Sequence, residues 1–252
     1  MLFLIAAQTA VWAIGAAVLL APQVWLPVAG LWATARIPVA ATVAATAAPL
    51  VAFFVYVEFT LDLHYPLPYH EWKIFALSLV GMSVALLGVA RLALVKVALE
   101  NEPASGTLAD VERYLELRTL LERVLAVEGA ILGAAILAAG GLRNTVVAFH
   151  SHDQSSFPRE YVLVYGAYFT LLLALLYAPV YRRLLEVGRA NVDAACEPEE
   201  PTSPSWLPAY EKRKKLEEHL QLQLATGTSF RVGVAILAPL GSALVGLLLG
   251  AA

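Results

Sequence analysis

With 252 residues, 60% of them apolar and only 15% charged, the chain lacks the polar surface a soluble core of its length requires, and it falls in the membrane class. The formal net charge of −3 excludes little by itself, because the 17 lysines and arginines are unevenly placed. The single cysteine, Cys196, excludes an internal disulfide and reads as an inert thiol.

The first expected span covers residues 2–21. No basic leader precedes it and the first cation is Arg36, so it reads as a retained span and not as a signal peptide. Pro22, Trp25, Pro27 and Trp32 then mark a lipid–water boundary. Residues 24–35 fit either an interfacial helix or an early start to the next span. Span 2, residues 37–61, carries an Ala/Thr tract and then Pro49, which has no N–H for the carbonyl of Ala45. Span 3, residues 74–98, ends with Arg91 and Lys96, whose stems can reach the inner interface.

Pro103, Ser105 and Gly106 interrupt the helix, and Thr107 with Asp110 resembles a capping box. A long helix is predicted from Leu108 to about Leu142. Its first half is too charged for lipid and offers Arg118 and Glu122 as an i,i+4 pair. Its second half, residues 124–142, is span 4. Gly129 and Gly133 give it a small-residue face, expected to pack within the protomer. Span 5, residues 161–180, should continue inward through Arg182, Arg183 and Glu186. The acidic stretch 193–205 reads as disordered. A polar helix is expected at 208–224, with Ser205 as its cap and Leu216, Leu220 and Leu224 as its apolar stripe. The ion pairs Glu211–Lys215 and Lys214–Glu218 are expected on its face, and Gly227 is expected to stop it. Span 6, residues 232–252, is capped by Ser229 and bent by Pro239.

The predicted fold is therefore all-α: one six-span membrane domain with cytoplasmic helical elements at 99–123 and 181–231. Fourteen cations fall in loops one, three and five or their flanks, against three (Lys73, Arg143 and Arg159) in the others. Cations near span ends stay in the cytoplasm, so both termini are expected outside a plasma (inner) membrane, with loops one, three and five cytoplasmic.

Three sets of residues are candidates for function. On the outer face, Asp62, His64, His70 and Glu71 lie in one loop and His150, His152 and Asp153 in another. Imidazole and carboxylate together suit a divalent metal ion, although no known metal motif is present. Within the spans, Thr42 and Thr46 offer a pore-lining face, and Glu58 could join an ion path. Arg91 and Glu128 reach similar depths and are expected to pair. On the inner face, Lys212, Arg213, Lys214 and Lys215 suit anionic lipid or a cytosolic protein; interspersed glutamates argue against nucleic acid. There is no phosphate loop, HExxH or GxSxG. The leading expectation is a non-enzymatic, homo-oligomeric channel or pore coupled to a cytoplasmic helical module. A transporter or metal-handling protein using the outer residues, and an accessory subunit or membrane-embedded enzyme, are the alternatives.

Overall fold

The computed structural model describes residues 2–22, 28, 30–60, 70–103, 105–150, 153, 157–196, 205–222 and 226–249. These form helices and no strand: α1 (Leu2–Leu20), α2 (Trp32–Thr60), α3 (His70–Glu100), α4 (Leu108–Phe149), α5 (Arg159–Ala195), α6 (Trp206–His219) and α7 (Thr226–Leu249). Four of them are long and apolar enough to cross a membrane, over Ala33–Ala52, Phe75–Glu100, Leu108–Phe149 and Arg159–Ala195. α1 and α7 hold shorter apolar stretches, Ala6–Leu20 and Val232–Leu248. Ile37 and Val55 on α2, Val80 on α3, Leu171 and Leu175 on α5, and Leu237 and Leu248 on α7 are exposed. Large apolar side chains turned outward on so many helices suit hydrocarbon and not water.

α4 is the axis. α1, α3, α5 and α7 all pack on it, whereas α2 packs chiefly on α3. The closest seam joins α4 to α7. Pro239 has no N–H, so the carbonyl of Ala235 loses its intrahelical donor. That carbonyl oxygen would lie only 2.5 Å from a β-carbon built at Gly129. Glycine at 129 is what lets this backbone approach. Further out, a β-carbon at Gly140 would stand 3.2 Å from Gly246 Cα. The small-residue face of α4 thus packs inside the chain. Next to Pro239, the Leu240 N–H donates across to Thr170 Oγ1 on α5, at 3.2 Å.

Several boundaries differ from those read in the sequence. α2 starts at Trp32, so residues 32–35 belong to this helix; its helical ladder tolerates both Pro38 and Pro49. α4 runs on to Phe149 instead of ending near Leu142, which brings Arg143 into the helix and buries it. α5 keeps residues 193–195 helical, where the acidic composition suggested disorder. α6 ends at His219, not near Leu224, because Gln221 turns into the left-handed region at φ 52°. α7 begins at Thr226, so Gly227 and Ser229 lie inside it and do not stop or cap a helix.

The start of α4 follows its sequence closely. Asp110 N–H donates to Thr107 Oγ1 at 3.3 Å, and Thr107 N–H donates to Asp110 Oδ2 at 3.2 Å, completing a capping box. The Ser105 hydroxyl also donates to Asp110. These donors hold the Asp110 carboxyl below its ordinary pKa, the Ser105 and Thr107 side-chain bonds most of all.

Candidate functional site

Two polar centres lie along α4, one within its apolar half and one at its charged N-terminal end. In the apolar half, Glu128 and Arg91 are both 1% exposed. They do not form the expected ion pair. Arg91 on α3 reaches across to α1, where Nη2 donates to the carbonyl of Leu19 at 2.8 Å. Leu19 belongs to the last turn of α1, where carbonyls lack intrahelical donors and carry partial negative charge. Arg91 thereby satisfies a helix terminus. Glu128 instead enters a notch opposite Gly88 on α3, and a β-carbon at Gly88 would overlap its carboxyl group. Its Oε1 is buried without a hydrogen-bond partner.

The second centre joins three helices. Tyr114 is fully buried on α4, and its ring packs where a Gly188 side chain would stand on α5; Leu222 fills the same space from beyond α6. Arg118, also buried, donates from Nη1 to the carbonyls of Leu220 at 2.7 Å and Gln221 at 3.0 Å. Its Nε donates to Glu122 at 3.0 Å, the i,i+4 pair foreseen in the sequence. The Tyr114 hydroxyl makes a longer contact with the Leu220 carbonyl, 3.4 Å, and burial pushes its pKa up. Arg118 therefore clamps the end of α6 by backbone atoms, and Leu220, 0% exposed, seals the joint. Leu216 packs against the same core, while Leu224 lies outside the described residues.

The basic run is divided by this docking. Arg213 binds Asp193 at 2.6 Å and Glu217 at 3.1 Å, and the Asp193 bond chiefly holds its pKa up. Lys212 donates to the carbonyl of Ala195 at 3.3 Å, placing a cation at the C-terminal end of α5. Lys214 and Lys215 remain exposed, and their expected pairs with Glu218 and Glu211 are not formed among the described residues. Ser205 precedes α6 but makes no side-chain capping bond. No protein-family model, curated protein or solved structure matches this chain.

The remaining candidates do not come together. Thr46 is buried in the α2–α3 seam and donates to Thr42 O at 2.8 Å; half-buried Thr42 donates to Pro38 O at 2.9 Å. Both hydroxyls thus bond to their own helix. Glu58 is in the last turns of α2, and His70 and Glu71 open α3, with the three side chains outside the described residues. Asp62, His64 and His152 lie wholly outside them. His150 caps α4 and meets the ring of Phe149 edge-on, while Asp153 is exposed. Among the described residues no three His, Cys, Asp or Glu side chains converge as metal ligands.

The sequence reading missed the Gly88 notch, the Leu19 carbonyl and the Arg118 clamp. For the clamp a local signal existed: Tyr114 and Arg118, four apart, put a ring and a long cation on one stripe of the helix.

Proposed function

We propose that this chain is a non-enzymatic, six-span membrane protein in which a cytoplasmic helical module is coupled mechanically to the bundle. Both termini lie outside, and α6 with the inward ends of α4 and α5 receives a cytosolic partner or an anionic lipid surface. The observation that carries this reading is the continuity of α4. It is a single 42-residue helix, about 60 Å long at 1.5 Å per residue, fixed to α6 by Arg118 at one end and to α7 through Gly129 in the apolar half. A load on α6 is thereby passed to the packing of the spans. Exposed Lys214 and Lys215 are the contact residues on the module.

In this reading the chain works as a homo-oligomeric channel, with its path between protomers. α2 supports that arrangement. Among its described side chains it buries one stripe, Ala35, Val39, Thr46 and Leu50, and leaves exposed positions such as Ile37, Val51 and Val55 for lipid or a second copy. Thr42 is at the edge of that stripe and is the lining candidate. The test is ion flux in proteoliposomes for wild type, Arg118→Ala and Thr42→Trp. Flux in wild type that changes on releasing the clamp supports coupling. Absence of flux rejects the channel, and flux unaltered by Thr42→Trp rejects the lining.

A further inference from the structure

The bundle interior has built a socket for one acidic side chain and, among the described residues, given it no counter-charge. Glu128 is 1% exposed, and its Oε1 accepts no hydrogen bond. The socket is the absent side chain of Gly88, whose β-carbon would overlap Cγ, Cδ and Oε1 of Glu128. Among the described side chains the surroundings offer no compensation. α1 has no ionisable side chain. On α3 the nearest cation in sequence to Gly88 is Arg91, which is engaged with the Leu19 carbonyl, and Lys96 is exposed beside Glu100. On α5 the Tyr177 hydroxyl is buried and makes no hydrogen bond, to Glu128 or to any other group. The only ionisable residue of α7 is Arg231, in its first turns, and its side chain lies outside the described residues. On α4 itself Glu122 is bonded to Arg118 and Arg123 is exposed.

A bare carboxylate in such a place is strongly unfavourable, whereas the neutral acid bears only the cost of a polar group. We propose that Glu128 is a reversible proton-binding site. It holds a proton while α3 and α4 are closed at Gly88, and releases it when the two helices part enough to admit water. No step requires another reactant: the O–H bond of the acid breaks and the proton passes to that water. The packing of α3 on α4 and proton occupancy are then linked, each favouring the other. This goes beyond the channel reading and does not depend on it, because a proton can bind whether or not ions flow.

Infrared spectra of the full chain in lipid nanodiscs, titrated with pH, test the proposal. The difference between wild type and Glu128→Gln should contain the C=O stretch of a protonated carboxylic acid at neutral pH. That band should shift in deuterated water, be lost in Glu128→Gln, and give way to carboxylate bands at alkaline pH. Carboxylate bands alone at neutral pH would overturn it. So would carboxylate bands that respond to sodium, since the occupant would then be a metal cation. Should Glu128→Gln fail to fold, glutamate carrying carbon-13 in its carboxyl group shows whether the wild-type chain has the band of a protonated glutamate. Its absence at neutral pH is equally decisive against a bound proton.

Discussion

Between Val124 and Leu142, α4 is held by closeness: glycines let the backbone of α7 approach, and Glu128 fills a notch left by a glycine on α3. Between Leu108 and Arg123 the same helix is held by charge and capping, with Thr107 and Asp110 closing its start and Arg118 gripping the end of α6. The difference follows the composition of the two halves, one apolar and one charged. In lipid, apolar side chains gain nothing by leaving hydrocarbon, so contact area and backbone approach must do the holding. In water, buried polar groups that find partners add direction to ordinary apolar burial. One rigid element thus spans two regimes, which should respond differently to substitution and to pH.

The largest effect is expected at Gly129. A methyl group there meets the Ala235 carbonyl, a backbone atom that cannot swing aside. Gly129→Ala should cost about 1–3 kcal/mol, toward the upper end, in unfolding of the purified protein. Pro239→Ala restores a donor to that carbonyl and should recover part of the loss. A Gly129→Ala protein as stable as wild type would break the claim that closeness holds this half.

Next comes the clamp. Arg118→Ala leaves the buried Leu220 carbonyl without its main donor, a loss of about 1–3 kcal/mol in docking. Amide exchange should rise over 206–222 and remain unchanged over 129–142. Equal rises in both regions would erase the distinction between them.

Acid should loosen only the capped end. The Asp110 carboxyl is held below its ordinary pKa, so the cap contributes fully above the usual aspartate range near about 4. That contribution is lost as pH falls through the depressed native value. Exchange of the first-turn amides of α4 should therefore accelerate in strong acid, and Asp110→Asn should abolish the dependence. The smallest effect belongs to Arg213→Ala. It removes a largely exposed pair with Asp193, worth roughly 0.2–1 kcal/mol and weakened further by salt.

What could be read from the sequence was local. The charged-to-apolar change along 108–142, the Thr107–Asp110 box, the Arg118–Glu122 pair and the continuation of α5 through Arg182, Arg183 and Glu186 all rest on neighbours within a few residues. The Arg91–Glu128 pair failed for a physical reason. Hydropathy fixes depth along a span but not the direction a side chain takes around it. Arg91 therefore met a helix terminus, and Glu128 a glycine. The Arg118 clamp joins residues about a hundred apart, a contact that no periodicity announces. The end of α6 was misplaced because Gln221 takes a left-handed turn usually left to glycine or asparagine.

The account rests on the charged half of α4 and all of α6 standing in the cytoplasm. A single cysteine at the exposed position 214, Lys214→Cys with Cys196→Ala, tests this with a membrane-impermeant maleimide. Labelling only after the membrane is opened is the expected result. Labelling in intact cells would put the module outside and contradict the account.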